Sequence, residues 1–335
     1  MRGIVFTGPG AVEYRDNLRM PELERGWALI EVSHVGVCGS DLTIFEGKHP
    51  RARAPLVMGH EFSGYLRTTH PQFKKGDLVT VYPYLSCGQC EPCKHGQVHV
   101  CKGLRIIGID LNGGMAEYVK VPHESIEKVP DGISPPLAAF IEPVGISVHA
   151  VRQGGYQPGE SVAVFGAGAI GLSTAISLRH FGADKLIISE PNPARQALAR
   201  ELGFDVLDSE KDLLSQIYER TDGEGVQFIY DCAGVQPVAE VITEAVTIKG
   251  KIVIIAGYRD RPRIDFQKCM FKELSIQFVR NCTRDDFKIA GRLSTKNLGY
   301  ERLLNCTVPL TSTGKGFPPE SRAYKVMFNV GGGTG

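Results

Sequence analysis

The sequence predicts an α/β chain of two units, a mainly β, loop-rich half and a doubly wound parallel-sheet domain. Three observations carry this: length, a change of hydrophobic pattern near residue 147, and a glycine turn between a strand and a helix. At 335 residues the chain exceeds what one hydrophobic core usually serves, so two domains are expected. From Met1 to about Val144 short β-type runs dominate, among them Ala28–Val32, Leu78–Tyr82 and Ala116–Val121, separated by Gly, Pro and Asp turns. The pattern then changes. "ESVAVFGAGAIGLSTAISLRHFGADKLIISEP" reads as an apolar strand, a glycine turn, an Ala/Leu-rich helix and a second buried strand ending at Glu190. Helix and strand continue to alternate through "ARQALARELG", "VQFIYDCAG", "VAEVITEAV" and "GKIVIIAGY", as a doubly wound sheet requires. A nucleotide-binding domain is expected over residues 147–280, and a second unit from 1–146 and 281–335.

Composition excludes some functions. Apolar residues make up 42% and charged residues 22%, and 38 basic against 37 acidic side chains leave a net charge of +1. That balance offers no general attraction to nucleic acid or anionic lipid. The start lacks an apolar leader with a small-residue cleavage site, and no stretch approaches 18 consecutive apolar residues. A cytoplasmic setting without a membrane partner is therefore expected, and there nine cysteines suit thiols or metal ligands better than disulfides.

In "VFGAGAIG", Gly166 suits a tight turn, Gly168 lets the backbone approach a pyrophosphate, and Gly171 allows close packing of helix on strand. Ile170 lies within the same turn, and the helix N-terminus beyond it attracts phosphate. Glu190 ends the second strand about twenty residues on, the place of the acid that binds a ribose hydroxyl. It favours NAD and would repel the 2′-phosphate of NADP; Arg195 pulls the other way, or is a helix-surface charge.

"CGQCEPCKHGQVHVC" sets Cys87, Cys90, Cys93 and Cys101 at C-x2-C-x2-C-x7-C, in a lobe spanning 84–103. Four thiolates close a tetrahedron around zinc at about 2.3 Å per bond and leave no position for water, which makes such a site structural. An iron–sulfur cluster also takes thiolates. His95 and His99 are expected as surface loop residues. A nucleic-acid zinc ribbon would show two separated knuckles and a basic surface.

Upstream, "GVCGSD" and "VMGHEFSG" hold Cys38, His60 and Glu61. Cysteine, histidine and carboxylate can bind zinc with a position left open, although singly they read as a buried thiol, a turn residue and a surface charge. With "IEPVGISVHA" and "VFGAGAIG" these motifs stand in one order over nearly the whole chain, which resembles the zinc-containing medium-chain dehydrogenase/reductases, in their polyol (sorbitol) dehydrogenase-like branch. That resemblance implies a Rossmann domain beside a GroES-like catalytic domain, one catalytic and one structural zinc per subunit, and NAD. It makes Cys38 and His60 zinc ligands and sets Glu61 and Glu142 beside the metal, without deciding which carboxylate ligates. Glu142 alone would read as a solvated loop carboxylate.

The implied reaction is oxidation of a secondary alcohol of a polyol, cyclitol or sugar alcohol to a ketone. Zinc would lower the pKa of the substrate hydroxyl, as it lowers that of water to about 7, and the nicotinamide would take the hydride. By resemblance Ser40 starts the proton relay and Asp41 orients the site. Thr43 stands where the family often has a histidine, so another group or water must follow. Ala256 and Gly257 are implied near the nicotinamide, and Val279 and Arg280 near cofactor or substrate. "KELSIQFV" implies a homodimer or homotetramer, or reads as an ordinary interior strand. The segment "LTSTGKGFPPESRAYKVMFNV" is shorter than in the family. Threonine- or butanediol-type specificity, a preference for NADP, and a zinc-stabilised nucleotide sensor without turnover stay open.

Overall fold

A computed structural model describes residues 1–315, 317–318 and 324–331. The chain divides into two compact units, Met1–Gly145 with Thr283–Gly335, and Ile146–Cys282. Of the shortened C-terminal segment, residues 316 and 319–323 lie outside the described residues, as do 332–335.

The first unit is built on a seven-stranded sheet. Its strands run in the order Ile126–Lys128, Leu78–Val81, Glu61–Leu66, Trp27–Gly36, Val326–Asn329 and Cys306–Pro309, and Tyr118–Pro122 pairs with the first half of Trp27–Gly36. Alternation explains the faces: Ala28, Ile30 and Val32 point into the core while their neighbours are half-buried. A smaller sheet joins Ala11–Arg15, Gly3–Gly8 and Leu56–Val57. Register matters for the site. Gly36 lies opposite Glu61 on one side and Met327 on the other.

This unit is less purely β than its sequence reads. Helices Gly39–Phe45 and Pro135–Ala139 interrupt it, and the helix Ile141–Gly154 begins in it and runs across the boundary into the second unit. Pro135 and Pro136 supply a helix-ready φ in the first turn without needing N–H partners, and the following Leu, Ala and Ile residues are buried.

The second unit holds a six-stranded, wholly parallel sheet in the order Asp205–Val206, Leu186–Ser189, Val162–Phe165, Val226–Asp231, Val246–Ile254 and Ser275–Phe278. The order reverses beside Val162–Phe165, the switch point where such sheets bind ligands at their carboxyl ends. All four residues of that strand are buried, as a strand covered on both faces must be. Among the described residues no helix is long and apolar enough to cross a membrane.

Candidate active site

Cys38 caps the helix Gly39–Phe45, and its N–H donates to Asp41 Oδ2 at 2.8 Å. That bond ties the thiol to the first helical turn. Glu61 opens the neighbouring strand, which continues through the buried Phe62, and His60 lies in the bend just before it. Donor atoms of Cys38, His60 and Glu61 lie within 4.8 Å of one another. His60 and Glu61 are both buried, so the surface reading of Glu61 fails, while His60 does lie in a bend, turned inward.

Glu142 is likewise no solvated loop carboxylate. It sits in the first turn of Ile141–Gly154, 3% exposed, where Tyr84 OH donates to it. It stands outside the three-donor group but is felt electrically by His60 and Glu61. Lys325 completes the cluster by pairing with Glu61. Gly36 makes this pair possible: a Cβ there would lie 2.3 Å from Glu61 Oε2 and 2.8 Å from Lys325 Cε.

The cluster is short of positive charge. Burial pushes Asp41 up, and burial with the repulsion of Glu61 holds Glu142 at about 7. Burial would pull His60 down, yet Cys38, Asp41 and Glu142 raise it well above its ordinary value. Three carboxyls and a thiol thus face one lysine and one histidine. His60 Nδ1, Asp41 Oδ1 and Ser40 Oγ are buried without hydrogen-bond partners among the described residues. Orphan polar atoms, a thiol and a charge deficit fit a divalent cation held by sulfur, nitrogen and oxygen.

The four lobe cysteines also converge, with thiol sulfurs within 4.8 Å of one another. Cys90 Sγ lies 3.4 Å from Cys93 Sγ and 3.8 Å from Cys101 Sγ. The N–H groups of Cys87 and Gly103 each donate to Cys101 Sγ at 3.3 Å. N–H groups of Lys102 and Cys93 pull Cys90 down to about 6, whereas burial and the neighbouring thiols raise Cys93 to about 11. This is a thiolate cage set in backbone donors. His95 is exposed as expected, but His99 is buried, because the short 3₁₀ turn Val98–Val100 turns it inward.

In the second unit the chosen residues gather at the carboxyl ends of the parallel strands. Gly166 adopts φ +95°, which favours glycine. A Cβ on Gly171 would fall 1.8 Å from Gly166 O, whereas at Gly168 the nearest atom is Arg195 Nη1 at 3.9 Å. Glu190 is buried and accepts the N–H of Ala167 at 2.7 Å and of Asn192 at 2.9 Å, with Arg195 at 3.9 Å. Gly166, Gly168, Glu190 and Arg195 line a cavity of about 660 Å³. Ile170 is half-buried in the first helical turn. Ala256 and Gly257 follow Val246–Ile254, while Val279 and the exposed Arg280 follow Ser275–Phe278.

Comparison with known proteins agrees with both halves. Residues 24–131 match the family described as alcohol dehydrogenase GroES-like domain, and 169–296 match that described as zinc-binding dehydrogenase. The L-threonine 3-dehydrogenase of Pyrococcus horikoshii is 32% identical over 98% of this chain and 95% of its own length. The chain belongs to the zinc-containing medium-chain dehydrogenase/reductase family. Another relative, the L-galactonate-5-dehydrogenase of Escherichia coli, is 35% identical over 79% of each chain. A zinc-binding dehydrogenase structure from Sinorhizobium meliloti, bound to NADP, superposes with TM-score 0.91 over 98% of both chains at 28% identity. As a medium-chain dehydrogenase, the protein is an oxidoreductase of CH–OH donors that uses zinc and a nicotinamide dinucleotide, on a Rossmann and a GroES-like domain.

Three features of this family member escaped sequence reasoning. Lys325 lies within the shortened C-terminal segment outside every motif, and Tyr84 opens the lobe 84–103 without a signal of its own. Asp231 is the third: buried, it accepts N–H groups of Ala233 at 2.9 Å and Gly234 at 3.0 Å and the OH of Tyr258 at 2.6 Å. It shapes the strand end beside Ala256. Its only sequence signal was an acid closing an apolar strand run.

Proposed function

We propose that the protein oxidises a secondary hydroxyl of a polyol, cyclitol or related sugar alcohol to a ketone with NAD as hydride acceptor. The buried Cys38–His60–Glu61 group, short of positive charge, is the observation that carries this reading. Cys38 and His60 would hold the catalytic zinc with a carboxylate; Glu61, within the donor group, would be the third ligand, with Glu142, anchored by Tyr84, as the alternative. Zinc held there lowers the pKa of a substrate hydroxyl, as it lowers that of water to about 7. Ser40 Oγ, buried and without a hydrogen-bond partner among the described residues, would take the proton that the hydroxyl releases while passing its own on to water. Asp41 keeps Cys38 in place through its N–H, so it positions rather than reacts.

Glu190 supports NAD over NADP. Its carboxylate is pinned across the glycine turn by two N–H groups, so a 2′-phosphate arriving there meets a fixed negative charge. The four-cysteine lobe holds the structural zinc. The protein works in the cytoplasm as a homodimer or homotetramer.

Metal analysis and kinetics on one variant test the reading. Unmodified protein is expected to carry two zinc ions per chain and to reduce NAD in a screen of polyols, inositols, diols and threonine. Cys38→Ser is expected to retain one zinc and the fold while losing alcohol-dependent NADH formation. Retained turnover in that variant would reject a catalytic metal at Cys38, and a threonine-only response would move the substrate to the amino-acid branch.

A further inference from the structure

Of the carboxylates around Cys38 and His60, Asp41 is spent on the N–H of Cys38, and Glu61 lies within the donor group. Glu142 does neither. It is buried and near enough for the charges of His60, Glu61 and Lys325 to act on it, yet it stands outside the three donors. A glutamate side chain is long, and a change of rotamer carries its oxygens over several ångströms. Its place therefore needs a hold. Among the described residues, the hydrogen bond that Tyr84 OH donates to Oε1 is that hold.

Tyr84 can fix a partner because it is itself fixed. It opens the two-stranded neck of the cysteine lobe, where Tyr84–Leu85 pairs with Arg105–Ile106 and Tyr84 lies opposite Ile106. Just before it, Pro83 O accepts the N–H of Ile107 at 3.1 Å. Tyr84 is buried, and its ring stands edge-on to Tyr82 with centroids 5.0 Å apart, while Tyr82 stands edge-on to Phe287 at 5.7 Å. A rigid ring on a paired strand thus presents its OH at a set point, and the carboxylate in the first turn of Ile141–Gly154 answers it.

Charge and ligand count say what this hold prevents. Cys38, His60 and Glu61 offer three ligands to a zinc ion and leave one position open, with a thiolate and a carboxylate to match its charge. Entry of Glu142 would add a fourth protein ligand. The site would then be closed, as four thiolates close the one in the lobe.

We infer that Tyr84 is a positioning residue: its OH holds Glu142 outside the donor group and so keeps a metal position open for the substrate hydroxyl. The inference rests on the zinc-dehydrogenase reading and names what leaves Glu61, rather than Glu142, as the ligand.

Cadmium-113 NMR of the full chain loaded at both sites tests it, because a four-sulfur site and a site with one sulfur resonate apart. Chelator competition and steady-state kinetics on the zinc-loaded protein accompany it. Tyr84→Phe removes one oxygen and keeps the ring on Tyr82. It is expected to leave the four-sulfur resonance in place, to move the other, and to make the metal at Cys38 and His60 about tenfold harder to remove. Alcohol-dependent NADH formation should fall about tenfold in step, since the substrate must then displace a carboxylate. Adding Glu142→Gln should return the resonance and the metal retention to those of the parent. A resonance that stays put in Tyr84→Phe overturns the inference. So does a metal held more loosely, which would make Tyr84 the support of a ligand instead of its restraint, and so does a shift that survives Glu142→Gln. A parent protein showing the four-sulfur resonance alone would reject the metal at Cys38 and His60 and the inference with it, whereas two resonances without a response to Tyr84→Phe would leave that metal standing.

Discussion

Lys325 carries the charge balance of the buried site. Burial pulls its pKa down, but Glu61 and Cys38 outweigh that and raise it, so the ammonium persists at neutral pH. Removing one partner of a buried ion pair strands the other charge, typically at about 3–5 kcal/mol, while removing both is far milder. Lys325→Met is accordingly expected to destabilise the chelator-treated protein by about 3 kcal/mol in urea unfolding. Adding Glu61→Gln should recover most of that loss, and simple additivity of the two costs would show that the pair is not what holds Lys325. Cys38 and His60 were legible because each sits in a short contiguous motif. Lys325 was not, because its partner is reached only through a strand pairing between the two ends of the chain, over a glycine whose missing Cβ leaves the room.

The glycine turn separates two kinds of glycine within one element. Gly171 is demanded by the protein itself, since a Cβ there would overlap Gly166 O. Gly168 has an ordinary φ of −72° and open space in front of it, so nothing in the fold requires glycine there. Its job must lie with the approaching pyrophosphate. Gly168→Ala is expected to unfold within about 0.5 kcal/mol of the parent while weakening NADH binding about tenfold or more in a fluorescence titration. Gly171→Ala should instead lose about 1–3 kcal/mol of stability through overpacking. Equal stability losses in the two variants would contradict this division. Such a strand–turn–helix unit is legible because its apolar period changes from continuous to helical at one glycine cluster. The helix Ile141–Gly154 was harder to see: it begins directly after Phe140, and its Glu142 looks like a loop acid until the turn that buries it is known.

Association is the property of the whole molecule that the second unit bears on most directly. Ser275–Phe278 is an edge strand, not an interior one, and its outer row of N–H and C=O groups is a template for a further strand. Exposed on this strand, on the helix Phe266–Phe271 that precedes it and on the neighbouring strand are Phe278 at 67%, Phe266 at 73%, Met270 at 64%, Phe271 at 73% and Ile248 at 67%. A lone exposed apolar side chain is ordinary, but five large ones on the edge strand and its neighbours in the chain suit an interaction surface. A second copy meeting it about a two-fold axis would present the same patch, so the apolar side chains of each copy would bury against those of the other and the two edge strands could continue one sheet. A charge introduced within such a patch appears on both copies at once. Phe278→Asp is therefore expected to convert the assembly to smaller species in light scattering at micromolar concentration, with the Rossmann unit still binding NADH. Phe271→Asp should act in the same direction, because its side chain is equally exposed. An unchanged mass for both variants would place the subunit contact elsewhere, whereas a shift from four chains to two in only one of them would assign the two residues to different interfaces of a tetramer.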